Sequence, residues 1–447
     1  MNANEDGRAT PAAAPVAAGC RWAVAGCGWV ARDHFLPGLL AAAETATEQE
    51  AGNRSGPGSR SGNGSGTKPG SRPASASGDA TASRVRDAPP RLVAPPRLIA
   101  VTDTDPAAAD RLAARAPGAR TVADLATLLA VHRPDALYVA TPNHAHRPAV
   151  ALAAAAGTAV LCEKPLAAGL ADAERLVAAC GRAGILAATA YDQRFHPAHR
   201  AVREMVAAGA LGTVTAVRLT YCCWLPPAWS PDGRPYDNWR ADPVRAGGGA
   251  ALDLAPHGLD LVGVLLGGDD VTELTALVQH RAHPYPVDDG AVLAGRTGDG
   301  VLVSLHVAYN TPDALPRRRL EVVGTLGQLT ALDTLGQDAG GTLWLTDART
   351  AHRTPVPFDT RTSPFAVQVR EFSAAALAVR AGRPAGRAWP WPLRRDLALH
   401  RLLLDALARV RDAPSPHPSA RRAPAPPPSG SFPSALPVPS TVEEGRR

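Results

Sequence analysis

Three side chains from two distant segments of this chain of 447 residues have types and neighbours suited to proton transfer beside a cofactor. Lys164 stands in a Glu-Lys-Pro sequence that directly follows the apolar run 158–162. Asp253 and His257 are four residues apart in a segment that follows three glycines, so a helix there would place both side chains on one face. A carboxylate beside an imidazole can hold its tautomer and raise its basicity, which proton transfer during alcohol oxidation requires.

Each of these residues also has an ordinary structural explanation. Asp253 could be an acid of the first helical turn, which the helix dipole favours, and His257 a satisfied histidine inside the helix. Lys164, which precedes a proline, could simply cap a strand. The Asp-x-x-x-His pair could also bind a metal, but no third ligand has suitable spacing, so we predict no metal site.

A glycine-rich turn near the start of the chain supplies a candidate cofactor site. Residues 26–31 read Gly-Cys-Gly-Trp-Val-Ala, directly after the apolar run 21–25. Gly26 permits a sharp strand-to-helix turn, Gly28 lets the backbone approach a pyrophosphate, and the small Ala31 lets the helix pack on the strand. The free N–H groups of the helix N-terminus would face the phosphates. A chance turn in a chain rich in Ala and Gly is the alternative explanation.

Asp103 supports the cofactor interpretation, because a dinucleotide site needs an acidic residue after the second strand to bind the ribose hydroxyls. It lies much farther from the glycine turn than the roughly 20 residues that are usual. We attribute the excess to a disordered insertion at about 46–95, of which 51–90 has hardly any apolar side chain. Asp103 would repel a 2′-phosphate and no arginine follows it in 104–106, which favours NAD and leaves NADP as the alternative.

The elements that must position these residues alternate between strand and helix from 20 to about 192. Such alternation predicts a parallel sheet with helices on both faces, and cofactors bind at the carboxyl ends of its strands, where Asp103, Thr141 and Glu163 fall. The predicted strands span 21–25, 97–103, 136–141, 158–162 and 185–191, and the predicted helices span 30–43, 106–115, 122–132, 145–156 and 170–182.

Beyond residue 212 the pattern changes to strands with few helices, and many of these strands alternate in polarity. This predicts a mainly antiparallel sheet with one exposed face. The predicted strands span 214–221, 271–279, 291–295, 301–309, 320–323, 328–332 and 342–345, and the predicted helices 250–266, 365–380 and 392–410. We therefore expect an α/β protein with a disordered N-terminus at 1–18, a Rossmann domain with a doubly wound parallel sheet at 19–165, a substrate and oligomerisation domain at 166–411 and a disordered Pro-rich tail at 412–447.

Composition argues against several classes of protein. The chain is 45% hydrophobic and 20% charged, which is ample for two domains. No apolar run reaches the ~18 residues of a membrane span, and no signal peptide is evident. Six cysteines without a C-x-x-C pair indicate reduced thiols in a cytoplasmic protein. The formal charge of +6 is carried by 51–90 and 413–447, so we expect no nucleic-acid-binding face on the folded part.

Taken together, these motifs resemble the glucose–fructose oxidoreductase / inositol dehydrogenase / MocA (Gfo/Idh/MocA) family. They occur in the family's order across roughly residues 20–400, and a Glu-Lys-Pro turn followed by a glycine-led Asp-x-x-x-His helix is a specific combination. The matching segments are Gly26-Cys27-Gly28-Trp29-Val30-Ala31, Val101-Thr102-Asp103, Thr141-Pro142-Asn143-His144-Ala145-His146, Glu163-Lys164-Pro165, Tyr191-Asp192-Gln193-Arg194-Phe195, Gly209-Ala210-Leu211-Gly212, Trp239-Arg240 and 247–249 through Asp253, His257 and Asp260.

The resemblance implies a Rossmann domain that binds NAD or NADP, followed by an α/β domain on an open, mainly antiparallel sheet. Lys164 would bond the reacting oxygen, His257 would be the acid/base, and Asp253 would orient substrate and histidine. The reaction would interconvert a secondary alcohol and a ketone on a sugar, cyclitol or related derivative, with hydride passing to nicotinamide C4. The implied cofactor contacts are Gly26, Gly28, Trp29, Val30, Ala31, Asp103, Thr141, Pro142, Asn143, His146, Glu163 and Lys164, and the implied substrate contacts are Arg194, Trp239, Arg240, Asp253 and His257.

The resemblance also implies a homodimer or homotetramer formed through the open sheet. From composition and hydropathy we expect no nucleic-acid or membrane partner. Two other functions stay open. One is an NAD-dependent glycosidase that retains its cofactor, and the other is a non-catalytic nucleotide-binding regulator. The intact set of Lys164, Asp253 and His257 argues against the regulator, which has no need of all three.

Overall fold

The computed structural model describes residues 19–54, 94–233 and 236–411. These residues belong to one compact unit that ends at Asp412. The predicted disorder of 1–18, of 412–447 and of most of the insertion at 46–95 lies outside the described residues. No helix in the described ranges is long and apolar enough to cross a membrane.

The first half of the described chain forms a six-stranded parallel sheet. Its strands are β1 (Arg21–Ala25), β2 (Arg97–Thr102), β3 (Arg120–Thr121), β4 (Ala136–Val139), β5 (Ala159–Cys162) and β6 (Ala187–Thr189), and its helices are α1 (Leu36–Arg54), α2 (Pro106–Ala113), α3 (Leu125–His132), α4 (His146–Ala155) and α5 (Leu170–Ala183). The strands lie in the order β3-β2-β1-β4-β5-β6. The order reverses between β1 and β4, and the crevice beyond their carboxyl ends is where such sheets bind dinucleotides.

This sheet confirms the predicted parallel architecture. Strand β1 has the predicted bounds, whereas β3 is missing from the prediction because its two residues are exposed and polar. Helix α1 follows a π-helical turn, Ala31–Phe35, and continues well past residue 43, where we predict its end. Strand β6 lies beyond residue 165, our predicted end of the first domain, and still pairs with β5.

The second half forms an eight-stranded sheet, preceded by α6 (Pro197–Ala207). Its elements are β7 (Val214–Cys222), α7 (Pro243–Ala246), α8 (Ala250–Leu265), β8 (Val271–Gln279), β9 (Gly290–Thr297), β10 (Leu302–Ala308), β11 (Arg318–Gly324), β12 (Gly327–Leu332), β13 (Thr342–Asp347) and β14 (Arg353–Pro355). The order is β14-β13-β12-β11-β7-β10-β9-β8, and every pair is antiparallel except β7 with β10. The predicted mainly antiparallel sheet is therefore confirmed.

Helix α8 lies on the inner face of this sheet and carries two of the candidate residues. All of its residues except Asp253 are buried. Gly258 permits the close packing, because a Cβ there would lie 2.3 Å from the Leu305 side chain of β10. The opposite, outer face of the sheet is exposed along β8, β9 and β10, as predicted, and it carries the exposed Leu277, Val292 and Leu302.

Three helices complete the described chain: α9 (Pro364–Arg380), α10 (Ala385–Ala388) and α11 (Leu393–Arg411). Helix α9 packs on the first sheet, although it follows the second sheet in sequence. Phe372 lies against Trp22 of β1, and the Trp22 indole donates a hydrogen bond of 2.9 Å to Ser373 Oγ. The two halves of the chain thus share core residues.

Candidate active site

A cavity of about 270 Å³ opens where the carboxyl ends of the first sheet meet helix α8 and the second sheet. The glycine turn, the loop after β4, the Glu-Lys-Pro turn and α8 all contribute to its wall. Of the residues predicted from the sequence, the wall contains Gly28, Trp29, Val30, Thr141, Asn143, Glu163, Lys164, Trp239, Arg240, Asp253 and His257.

The glycine turn has the geometry that its sequence predicts. Gly26 has φ +92°, and a Cβ there would lie 2.6 Å from the Ala140 backbone, so no other residue fits without moving the chain. Gly28 differs, because a Cβ at that position would have nothing within 4 Å. The turn thus presents backbone to an open space of the kind that a phosphate group fills. Ala31 is fully buried behind the turn.

Asp103 lies beside the glycine turn, as predicted for a ribose-binding acid. Its Oδ2 accepts a hydrogen bond of 2.5 Å from the Cys27 N–H, and its Oδ1 accepts one of 2.8 Å from the Asp105 N–H. The carboxylate is therefore held at the end of β2 by the backbone on both sides. It remains partly exposed, outside the wall of the cavity.

The loop after β4 is fastened to two neighbouring segments. His146 places one ring nitrogen 3.0 Å from the Pro165 carbonyl and the other 3.0 Å from the Thr141 carbonyl. Burial lowers the pKa of His146 to about 4, so the ring is neutral at physiological pH. Asn143 donates a hydrogen bond of 2.8 Å to the Ala246 carbonyl. His146 and Pro142 thus lie behind the cavity wall and shape it, while the Thr141 hydroxyl is buried without a hydrogen-bond partner.

Lys164 and Asp253 form an ion pair at the floor of the cavity. Lys164 Nζ lies 2.5 Å from Asp253 Oδ1 and 3.0 Å from the Asp253 carbonyl. Asp253 Oδ2 accepts a hydrogen bond of 2.8 Å from the Tyr309 hydroxyl and lies 3.9 Å from Arg240 Nε. Burial alone would raise the pKa of Asp253, but the charges of Lys164 and Arg240 outweigh it and hold that pKa below its usual range.

Three glycines and a distant carboxylate explain why this pair meets. Gly247 has φ +84°, and a Cβ there would lie 2.0 Å from the Ala168 carbonyl, so the chain before α8 passes directly against the segment that follows Lys164. Asp288 then caps α8, with hydrogen bonds of 2.9 Å and 2.7 Å from the N–H groups of Gly249 and Ala251. No pattern near the glycines in sequence indicates this cap.

His257 lies one helical turn beyond Asp253 and is only 2% exposed. Burial and the nearby Lys164 charge lower its pKa to about 3. Neither ring nitrogen makes a hydrogen bond within the described part of the chain. Nδ1 lies 3.4 Å from Asp192 Oδ1, and Asp192 also lines the cavity. Asp253, the carboxylate expected to orient His257, is bonded to Lys164 and Tyr309 instead.

A second group of buried acids lies beside Lys164. Glu163 Oε1 accepts a hydrogen bond of 2.5 Å from the Tyr138 hydroxyl, and burial raises the pKa of Glu163. Burial and the Glu163 charge raise the pKa of Asp192 to about 8. Two neighbouring buried carboxyls cannot both ionise easily, so at least one holds a proton near neutral pH.

The structure places Arg194 away from the cavity, which corrects its predicted contact with substrate. Its side chain is fully buried and bonds Asp260 and Asp396 at 2.7 and 2.8 Å. The sequence could not show this, because Asp396 comes from α11, about two hundred residues later. Trp239 and Arg240 do line the cavity, with the guanidinium 4.5 Å from the indole centroid.

Two family models match segments of this chain. Residues 199–330 match the model of the GFO/IDH/MocA C-terminal domain, and residues 74–191 match the model described as "Oxidoreductase family, NAD-binding Rossmann fold". The chain belongs to the Gfo/Idh/MocA oxidoreductase family. The glycine turn at 26–31 precedes both matched segments, so the family models do not cover it. The interpretation of this turn rests on its own geometry, and membership of the family agrees with it.

Relatives of this Gfo/Idh/MocA protein act on several sugars. A 1,5-anhydro-D-fructose reductase of Ensifer adhaerens is 36% identical over 224 residues, 50% of this chain and 64% of that protein. A dTDP-3,4-didehydro-2,6-dideoxy-alpha-D-glucose 3-reductase of Streptomyces violaceoruber is 35% identical over 195 residues, 44% of this chain and 54% of that protein. The alignments thus span between half and two thirds of these relatives.

The fold is shared with solved structures over nearly their whole length. An inositol dehydrogenase homologue of Azotobacter vinelandii, crystallised with NAD+, superposes with a TM-score of 0.65 at 19% identity, covering 89% of this chain and 96% of that chain. At this identity the similarity shows the fold alone. In the described residues of our Gfo/Idh/MocA protein, no group of three or more His, Cys, Asp or Glu side chains could hold a metal ion.

Proposed function

We propose that the protein is an NAD-dependent oxidoreductase that interconverts a secondary alcohol and a ketone on a sugar, cyclitol or related derivative. One observation carries the proposal: Lys164, Asp253 and His257 line the same cavity as the open space at Gly28. A cofactor bound along the glycine turn would therefore reach a site that already contains an ammonium group and an unpaired imidazole. Membership of the oxidoreductase family supports the same conclusion.

The proposed roles of Lys164, Asp253 and His257 follow from their charges and contacts. Lys164 Nζ has one hydrogen-bond donor beyond the two it gives to Asp253, and this donor would bond the reacting oxygen and stabilise the developing alkoxide. Asp253 holds the lysine in place. His257, neutral and unpartnered, would accept the hydroxyl proton. A bound nicotinamide would supply the acceptor for the hydride.

The residues present fit a dinucleotide. The open space at Gly28, the buried and unpartnered Thr141 hydroxyl, and the acid at the end of β2 are the features such a ligand needs. Gly28, Trp29 and Val30 would hold the phosphates, Asp103 the ribose, and Thr141 and Asn143 the part nearer Lys164. Because Asp103 carries a negative charge where a 2′-phosphate would lie, NAD is the proposed cofactor.

Replacing Asp103 with serine tests this cofactor choice without any substrate. We expect Asp103→Ser to shift the ratio of NADPH to NADH dissociation constants by about tenfold towards NADPH, since one removed repulsion is worth roughly 1.4 kcal/mol. Titrations followed by tryptophan fluorescence measure both constants. Asp105→Ser is the matched control, because it removes the adjacent charge and serine can still cap α2. A wild type that already prefers NADPH would contradict the choice of NAD.

The substrate class follows from the rest of the cavity wall. Aromatic rings and guanidinium groups surround the Lys164 site, an arrangement that suits stacking on a sugar ring and bonding of its hydroxyls. The sugar-active relatives support this class without naming one compound for this chain. The aromatic and guanidinium residues of the wall are Trp29, Tyr221, Trp224, Trp229, Tyr236, Trp239, Arg240, Tyr309, Arg317, Arg318 and Phe365.

A spectrophotometric screen tests the proposal. Purified protein with NAD is incubated with a panel of free sugars, anhydro-sugars, cyclitols and nucleotide sugars, and absorbance is followed at 340 nm. We expect one class of compound to produce NADH. Substrate cleavage without NADH would indicate a glycosidase that retains its cofactor. Cofactor binding with no turnover of any compound would indicate a regulator.

We further propose a cytoplasmic homo-oligomer that pairs through the outer face of the second sheet. Leu277 and Leu302 are 73% and 62% exposed there, and Leu277 lies opposite the exposed Val292 on the neighbouring strand. The six cysteines are free, which supports a reducing compartment.

We expect light scattering of the full chain to give at least twice the 46.2 kDa mass of one chain. A charge within the apolar face should oppose pairing, so Leu277→Glu should lower the mass towards that of the monomer. Val131→Glu, at an equally exposed site on α3, should leave the mass unchanged. A monomeric wild type would contradict the proposal.

A further inference from the structure

We infer that Asp192, rather than Asp253, is the carboxylate that positions His257, and that Asp192 and His257 together accept the proton of the substrate as one acid/base unit. This inference rests on the proposed function and assigns a role to a residue that the sequence motifs leave unassigned. Asp192 is a positioning residue here, because it acts on the substrate through His257.

The contacts of the two carboxylates distinguish them. Both oxygens of Asp253 have partners, Lys164 on one and Tyr309 on the other. Asp192 accepts one hydrogen bond, of 2.8 Å from Gln193 Nε2, through Oδ2. Its Oδ1 lies 3.4 Å from His257 Nδ1, which is longer than the roughly 2.7–3.2 Å of a formed N–H···O hydrogen bond. Such contacts are commonly long before substrate binds and shorten in the reacting complex.

Burial makes this contact important. Asp192 and His257 are each 2% exposed, so little solvent reaches either side chain. The rings of Tyr191 and Tyr221 pack at steep angles against the imidazole, with ring centroids 6.2 Å and 5.5 Å away. The ring is therefore confined, with Nδ1 towards Asp192.

The surrounding charges show why His257 needs a carboxylate partner. Burial opposes a positive imidazole and so does the nearby Lys164 charge, while Asp253 and Asp260 on α8 offset this only partly, so the pKa of His257 falls to about 3. A base that weak accepts a proton poorly at neutral pH. Asp192 is in the opposite situation, since burial and the Glu163 charge outweigh Lys164 and Gln193 and raise its pKa to about 8. Asp192 can therefore hold a proton that His257 alone cannot.

During oxidation, the hydroxyl proton of the substrate passes to the pair of His257 and Asp192. In the basic form, Asp192 is a carboxylate and His257 carries its hydrogen on Nδ1, so the Nε2 lone pair is free. The substrate O–H bond breaks and an Nε2–H bond forms, while the Nδ1–H bond breaks and an Oδ1–H bond forms on Asp192. The electron pair of the O–H bond stays on the substrate oxygen, beside the Lys164 ammonium. The pair gains one proton and passes from a net charge of −1 to zero, and a buried site favours the neutral form.

Histidine NMR of the full chain tests this without a substrate. Protein labelled with [¹⁵N]histidine is titrated from pH 5.5 to 9.5 in the presence of NAD, and the His257 signals are identified by their loss in His257→Ala. We expect His257 in the wild type to change tautomer with an apparent pKa near 8, because the proton of Asp192 controls its Nδ1. Asp192→Asn should abolish this change, whereas Asp299→Asn, an exposed carboxylate, should leave it intact.

Loss of the His257 titration in Asp192→Asn supports the inference. A wild-type His257 that does not titrate in this range, or that titrates identically in Asp192→Asn, overturns it. Because this readout needs no turnover, it stands even if the proposed reaction is wrong.

A double-mutant cycle separates a positioning role from a merely structural one. With the compound that turns over fastest in the screen, Asp192→Asn should lower the oxidation rate at pH 8 about 100-fold. We expect kcat/KM of the wild type to rise with pH below pH 8, and Asp192→Asn should flatten this rise. In a His257→Ala background the same change should cost less than about twofold, because residues that act as a unit are not additive.

The outcomes of the cycle are distinct. A full loss from Asp192→Asn in the His257→Ala background would mean that Asp192 does not act through the histidine, which overturns the inference. A His257→Ala enzyme with normal turnover would instead overturn the proposed function, since that function requires the imidazole.

Discussion

Replacing Lys164 with alanine is expected to lower turnover about 100- to 1,000-fold while NAD still binds. The reason is electrostatic. One N–H of the lysine ammonium is not used by Asp253 and would stabilise the negative charge that forms on the reacting oxygen. Loss of one such donor typically lowers the rate by a factor of this size. The variant also leaves Asp253 without its closest counter-charge, although Arg240 and Tyr309 remain beside it.

Steady-state rates at saturating NAD measure this loss, and a fluorescence titration measures NAD binding. Lys164→Arg keeps the charge but changes the geometry, and it should recover only part of the activity because a guanidinium cannot replace an ammonium at a fixed point. Arg175→Ala, which removes an exposed cation on α5, is the control for a general effect of charge. Near-normal turnover of Lys164→Ala would show that the Lys164–Asp253 pair is structural.

Replacing His257 with alanine should have an effect of similar or greater size, about 100- to 10,000-fold on turnover, because a positioned general base contributes this much. The side chain is buried and makes no hydrogen bond in the described structure, so its removal breaks no polar contact that supports the fold. A residue that is conspicuously unpaired inside a polar cavity is more readily explained by chemistry than by packing.

The measurement for His257 is the same rate assay, with His352→Ala as the matched control. His352 is exposed in the turn between β13 and β14, so its removal should leave turnover unchanged. The melting temperature of His257→Ala should stay close to that of the wild type. A variant that loses activity only because it unfolds would not support the assignment, and a variant with normal turnover would contradict it.

Local sequence patterns predicted the parts of the fold that depend on neighbours in the chain. Strand β1 and the turn after it follow from four apolar residues and two glycines, and the structure shows the physical reasons: Gly26 needs a positive φ and Gly28 leaves space open. The positions of Lys164 at a strand end and of Asp253 on a glycine-led helix were also predictable, but their ion pair was not, because the spacing on the helix paired Asp253 with His257.

Contacts between distant segments were not predictable in the same way. Arg194 was predicted to contact substrate. Its ion pair with Asp396 of α11, a residue distant in sequence, buries it instead. Removing one member of such a buried pair typically costs about 3–5 kcal/mol, which is a role in stability and not in binding. The packing of α9 on β1 is equally invisible in either segment alone.

The carboxylates of the site show the same limit. Asp253 was chosen as the partner of His257 because of its spacing on a helix, yet Lys164 and Tyr309 occupy both of its oxygens. Asp192 and Tyr309 reach the cavity from other elements, and nothing in their immediate sequence marks them as neighbours of His257 or Asp253. Asp192 does stand in the Tyr-Asp-Gln-Arg-Phe segment, which was the one available signal for this part of the site.

The most direct test of the account is the stoichiometry of NADH to ketone formed from the best compound of the screen. NADH is read at 340 nm and the ketone by chromatography, for the wild type and His257→Ala side by side at saturating NAD. The account predicts one NADH per ketone in the wild type and a loss of both products by at least about 100-fold in the variant. Substrate conversion without NADH, or equal rates for the two proteins, would contradict it.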